Sequence, residues 1–258
     1  MLYLAVIFAA ALHTVSSQSL SSGCINTLAG VAANPDAAAC LNPNALVPLV
    51  AGGTDSSVVP VIDSWLSGLC SAPACSNATL QAVVANVTAG CSTELSSSGI
   101  SPDMSSSLAG LIQQYYPTAR QVVCLKDGNT NCVTQTLNNI QSTTGSLSLS
   151  NIIGLTTKAP NLPANVTCTN CVKQAYNIIN AAYPSLLASA ASDLNTQCGA
   201  SFLDGSTPSG ISQSATTNTA PASASSPSSA KSVALQANVF ALTISALLVV
   251  LSGIALLA

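Results

Sequence analysis

Apolar residues in the middle of this chain recur with helical spacing. Val58, Val61, Ile62, Trp65, Leu66 and Leu69 fall at i, i+3, i+4, i+7, i+8 and i+11, which lines one face of a helix. That helix is predicted to open near Ser56-Ser57, with Pro60 in its first turn, where a missing N–H is tolerated. Leu80, Val83, Val84, Val87 and Cys91 repeat the pattern behind Ser76, an N-cap residue type, and leave Asn86 on the opposite face. Met104, Leu108, Leu111, Ile112 and Tyr115 form a third stripe, opened by Ser101-Pro102-Asp103. Val172, Tyr176, Ile179, Tyr183, Leu186, Ala190 and Leu194 make a fourth, expected to kink or break at Pro184. Period-2 alternation is nearly absent, with LSLS at 147–150 the one hint. The pattern predicts an all-α domain, and Trp65 on its stripe is expected in the core.

Two further apolar runs stand at the ends. The first, within MLYLAVIFAAALHTVSSQS, is too short to span a bilayer, and Val15 and Ser17 fit the −3 and −1 positions of a signal-peptidase site. Residues 1–17 are expected to be a signal peptide. The second, VFALTISALLVVLSGIALLA at 239–258, is long enough to span but carries no flanking Lys or Arg on its far side. It follows Ser228, Ser229 and Ala230 and the spacer KSVALQAN, the layout of a glycosylphosphatidylinositol (GPI) attachment signal. Ser228 is the expected attachment residue, with Ser229 and Ser226 as competitors, and 229–258 the discarded propeptide. Between domain and signal, residues 206–228 contain Ser, Thr, Pro, Ala and Gly with a single isoleucine, and are expected to form an extended, disordered stalk. The folded ectodomain is therefore placed at 18–205.

Ten cysteines lie between the apolar ends: Cys24, Cys40, Cys70, Cys75, Cys91, Cys124, Cys132, Cys168, Cys171 and Cys198. In a secreted chain an even count reads as disulfides, up to five here. Serine-rich breaks near 96–107 and 142–146 point to two halves of five cysteines. In each half a close pair precedes a helix that ends at a lone cysteine. If 76–91 is one helix, Cys75 and Cys91 sit about 24 Å apart at about 1.5 Å per residue, too far to bond. The same holds for Cys171 and Cys198 unless Pro184 reverses the chain. Sequence does not choose among the remaining pairings, about 945 in all. Asn77-Ala-Thr79, Asn86-Val-Thr88 and Asn165-Val-Thr167 are N-glycosylation sequons.

Charge is scarce: eight acids and five scattered bases, Arg120, Lys126, Lys158, Lys173 and Lys231. No basic stripe exists, which disfavours nucleic acid. The one histidine, His13, falls in the signal peptide, so the processed chain has no imidazole for a Ser-His-Asp or Cys-His site. Cys168-x-x-Cys171 matches half of a zinc or redox motif, but among so many secreted cysteines it reads as structural. Among the acids, Asp55 and Asp103 sit near helix starts, Asp127 and Asp204 in turns, and Asp63 and Asp193 on helix surfaces; Asp36 and Glu94 complete the set. No catalytic residue, cofactor or metal is expected, and the chain is not read as an enzyme.

The run YYPTARQVVCLKDGNTNCV at 115–133, CTNC at 168–171 and CGASFLDG at 198–205 resemble a group of fungal secreted, cysteine-rich proteins predicted to be GPI-anchored, which carry a conserved domain of unknown function. CLKD…CV and CGASFLDG are the most specific parts, and the resemblance covers most of 24–205. It implies a helical, disulfide-stapled ectodomain at a fungal surface, with no catalytic residue to carry over. The expected function is a GPI-anchored surface or wall glycoprotein with a structural or interaction role. Its expected partners are the outer leaflet through its lipid and, beyond that, wall glucan. Extracellular lipid or sterol binding is the alternative, since small disulfide-stapled helical domains can enclose apolar pockets.

Overall fold

The computed structural model describes residues 21–51, 56–96, 99–148, 151–152 and 162–217. The signal peptide, Asp55, Lys158, Ser228, the remainder of the stalk and the GPI propeptide lie outside them. The described chain is mostly helical and forms two compact units, each assembled from separated stretches. One combines the chain up to Leu41 with Pro73–Tyr115, and the other combines Asn42–Ala72 with Tyr116–Thr216. Among the described residues, no helix is long and apolar enough to cross a membrane.

The first unit contains α1 (Ser22–Ala33) and α2 (Pro35–Leu41), which periodicity did not single out. Their start signals are local. Ser21 Oγ accepts from Cys24 N–H at 3.2 Å, and Asn34 Oδ1 accepts from Ala37 N–H at 3.0 Å just ahead of Pro35. Later in the chain come α5 (Asn77–Gly90) and α6 (Ser92–Ser96). Ser76 caps α5 as expected, accepting from Thr79 N–H at 3.1 Å. The buried stripe of α5 is short, Leu80, Val84 and Thr88, so Cys24, Cys40, Cys75 and Cys91 supply much of this unit's core. Helix α1 packs closely on the end of α5. A β-carbon at Gly90 would stand 1.8 Å from Thr27 Oγ1, so only glycine fits there.

The second unit holds the larger core, with Leu66, Val122, Leu147, Val166 and Val172 all almost fully buried. It contains α3 (Val47–Ala51), α4 (Val59–Ser71), β1 (Leu125–Asp127), β2 (Thr130–Asn131) and α8 (Cys132–Thr144). These are followed by α9 (Ala164–Thr167), α10 (Asn170–Ala182), α11 (Ala188–Cys198) and β3 (Ile211–Gln213). Helix α7 (Ser105–Val123) gives its residues up to Tyr115 to the first unit and the rest to the second. Pro60 sits in the first turn of α4 and Pro184 ends α10, both as expected. Beyond Pro184 a 3₁₀ turn, Pro184–Leu186, leads into α11.

Three expectations are corrected. Residues 206–217, read as the start of a stalk, belong to the fold. Strand β3 pairs antiparallel with β1, placing Ile211 opposite Asp127 and Gln213 opposite Leu125, in a sheet of order β2-β1-β3. The lone isoleucine of that segment was its one folding signal. Second, the cysteines divide four and six between the units rather than five and five. An odd set cannot close its own disulfides, and the units interleave along the chain. Third, Trp65 is half-buried rather than core: its neighbours Leu66 and Leu69 take the buried side of α4.

Helix α4 ends where Ala72 turns to an extended conformation, leaving the carbonyls of Leu69, Cys70, Ser71 and Ala72 without helical donors. Arg120 of α7, only 5% exposed, fills two of these places. Its Nη1 donates to Leu69 O at 2.7 Å and its Nη2 to Ala72 O. A buried cation at a helix C-terminus also complements the helix dipole. Replacing Arg120 by Met is expected to cost about 3 kcal/mol, because hydrogen bonds to a charged group contribute roughly 1.5–3 kcal/mol each. Arg120→Lys should recover only part of this, since one ammonium cannot reproduce the planar fork. Urea unfolding without reductant measures both, and equal stability of all three proteins would contradict the capping role.

Candidate functional site

All ten cysteines are paired. Cys24–Cys91 and Cys40–Cys75 close the first unit, and Cys70–Cys124, Cys132–Cys171 and Cys168–Cys198 close the second. Their Cα–Cα distances run from 4.4 to 5.5 Å, within the reach of a disulfide. Cys75 and Cys91 go to different partners, as the helix between them requires. The chain reverses at Pro184, yet Cys198 meets Cys168 and not Cys171. The two cysteines of the CxxC motif therefore belong to separate disulfides and form neither a redox couple nor a metal knuckle. Among the described residues, the one cluster of three metal-type ligands is Cys24, Cys91 and Glu94, and both of its thiols are consumed in a disulfide.

The sequon asparagines Asn77, Asn86 and Asn165 are all exposed. Asn77 opens α5, Asn86 lies on its outer face and Asn165 is in α9. Most described acids have structural partners. Glu94 accepts from Ser21 N–H at 2.7 Å, which holds its carboxyl below the usual range. Asp103 is lowered by the Ser101 hydroxyl at the start of its helix. Asp127 accepts from Gln135 Nε2 at 3.2 Å, and Asp36 and Asp193 are exposed.

Asp204 forms a clasp with α10. Lys173 Nζ lies 2.7 Å from Asp204 Oδ1, 2.7 Å from Ser201 O and 3.0 Å from Ser206 Oγ. The Lys173 contact, then the Ser206 hydroxyl, pulls the Asp204 carboxyl down to about 2. CGASFLDG is thereby explained piece by piece. Cys198 is in a disulfide, Gly199 takes φ 83°, Phe202 is core, Asp204 pairs with Lys173 and Gly205 takes φ 74°.

Among the described residues of the second unit lies a concave site, a cleft of about 280 Å³ between α4 and the β1–β2 hairpin. Asp63, Ser67 and Ser71 line it at i, i+4 and i+8 along α4, with Leu66 and Cys70 beside them. Lys126 of β1, Asn129 of the turn, Asn131 of β2 and Ser214 beyond β3 complete the wall. The hairpin is held in place locally. Gly128 takes φ 58° at the tip, and pairing of Asp127 with Thr130 leaves a two-residue loop. Asn131 ties three elements together: its Nδ2 donates to Val123 O at 2.8 Å while its Oδ1 caps α8 through Val133 and Thr134 N–H. Asp63 is oriented from α8, accepting from Thr134 Oγ1 at 2.6 Å.

Asp63 is exposed on its helix, as its position predicts, but the cleft it lines was not legible in the sequence. The polar spacing of 63, 67 and 71 was the one available signal, because Lys126 and Ser214 join it only through the sheet.

The fold and its bonds define a class: a helical, disulfide-stapled module with a small polar cleft. No family model, curated protein or solved structure matches the chain.

Two expectations follow from these bonds. Peptide mapping without reductant should recover the five linkages above, with no peptide in which Cys168 is joined to Cys171. The Asp204 clasp should be insensitive to mild acid. Its native carboxyl lies below the ordinary value near 3.8, so its contribution is complete above that value and is lost as pH falls through about 2. An NMR titration of the Asp204 carboxyl checks this, and a midpoint near 4 would refute the clasp.

Proposed function

We propose that this chain is a disulfide-locked glycoprotein displayed on the outer face of a fungal cell. It is held there by a lipid added at Ser228 and serves a structural or interaction role rather than a catalytic one. The observation that carries the reading is the complete pairing of ten cysteines into five disulfides. Such bonds form and persist in oxidising compartments, and closing loops of 30 to 67 residues contributes about 4 kcal/mol each on the chain-entropy account. The exposure of all three sequon asparagines supports the same reading, because each can carry a glycan without unfolding the domain.

The polar lining of the cleft favours a polar ligand over the lipid or sterol of the alternative reading. An acyl chain there would face Asp63, Lys126 and three serines, and desolvating them would cost more than the contact with Leu66 and Cys70 returns.

The test is expression of the full chain in a fungal host. The expected product is N-glycosylated, free of titratable thiols, present at the cell surface and released by phosphatidylinositol-specific phospholipase C. Replacing Ser226, Ser228 and Ser229 together by Leu should abolish that release. An intracellular, reduced, unglycosylated product would overturn the proposal.

A further inference from the structure

We propose that the cleft between α4 and the β1–β2 hairpin binds a small zwitterion of the α-amino acid class, with its carboxylate on Lys126 and its ammonium on Asp63. Both charges line one cavity, yet they are not paired with each other. Among the described residues, the one ion pair is Lys173–Asp204. Asp63 accepts a hydrogen bond from Thr134 Oγ1 of α8, which orients its carboxylate. Lys126 is fixed at its backbone from both sides, since β1 is the central strand and Lys126 pairs with Asn131 and with Ser212. The site thus presents one anion and one cation from two separately braced elements, a polarity that a zwitterion matches.

Other ligand chemistries fit the lining less well. A phosphate or other dianion would meet the Asp63 carboxylate. A divalent metal would find one carboxylate and the Lys126 ammonium, a poor oxygen set for a hard cation. Neutral sugars are usually met by an aromatic platform, and no aromatic side chain lines the cleft. A volume of about 280 Å³ falls at or below the low end of small-molecule pockets, roughly 300–1,000 Å³, so the ligand is small. Ser67 and Asn129 supply further polar groups for an amino acid side chain. This inference gives the interaction role a ligand, but its test is made in solution and does not depend on the anchor.

The purified glycoprotein, disulfides intact, would be titrated by calorimetry with glycine, L-serine, L-glutamate and L-lysine. N-acetyl and carboxamide derivatives of glycine and L-serine serve as single-charge controls, and glucose and N-acetylglucosamine as neutral ones. At least one free amino acid should bind, and removing either ligand charge should weaken it about tenfold or more, since charge-assisted hydrogen bonds are at stake. Lys126→Gln and Asp63→Asn should each weaken it by a similar factor. Asp63→Asn keeps an acceptor for Thr134, so the melting temperature should hold. Absence of binding by every free amino acid would overturn the proposal. Equal binding of the neutral sugars, or unchanged affinity in both variants, would do the same.

Discussion

The structure depends most on how the C-terminus of α4 is closed. A helix end leaves carbonyls that must find donors, and a buried one left unpaired costs on the order of 1–3 kcal/mol. Here four successive carbonyls are met by two distant residues. Arg120 supplies Leu69 and Ala72, while Thr216 supplies Cys70, through N–H at 2.9 Å, and Ser71, through Oγ1 at 2.9 Å. The Cys70–Cys124 disulfide crosses the same spot, and Cys124 O accepts from both N–H and Oγ of Ser214. One helix end therefore gathers α7, the start of β1 and the C-terminal segment. Without Arg120 the helix end loses its cation. Without residues 214–216 it loses its remaining donors.

This arrangement explains what could and could not be read from the sequence. The helices on strong apolar stripes, α4, α5, α7 and α10, were legible because a 3.6-residue period needs only local information. Ser76, Pro60 and Pro184 were legible for the same reason: caps and prolines act within a turn or two of themselves. Arg120 was visible only as one of five scattered bases, because its partners lie 48 and 51 residues away. Strand β3 was hidden by composition. Three residues of backbone pairing need almost no side-chain signal, and Ile211 alone broke the stalk-like run. Geometry could exclude disulfide pairings along a single helix, but the choice among the rest lies in how the two units interleave. Their boundaries fall at Leu41, Ala72 and Tyr115, not at the serine-rich breaks.

Scarcity of charge has a structural counterpart. With so few ion pairs available, hydroxyls and carboxamides do most of the polar work. Thr27, Thr88, Thr136, Thr143 and Thr196 each return their hydroxyl to a carbonyl four residues back on their own helix. Such bonds leave fewer unsatisfied groups on helices poor in long charged side chains, and they are insensitive to pH. Asn131 extends the strategy, as one neutral side chain joins α7, β2 and α8. The charged residues that remain are placed individually. Arg120 closes a helix, Lys173 and Asp204 clasp a loop, and Asp63 and Lys126 face the cleft.

The cleft and the closure of α4 are one piece of construction. Cys70, Ser71 and Ser214 line the cleft, and the same residues take part in the helix-end network. The wall of the cleft is therefore only as rigid as the attachment of residues 214–216, which the sequence assigned to a stalk. Any pull on the C-terminal segment would reach the Cys70–Cys124 disulfide through the Ser214 and Thr216 hydrogen bonds. These run to the carbonyls of both cysteines, so the C-terminal segment is docked on a cross-linked point at the cleft's own edge.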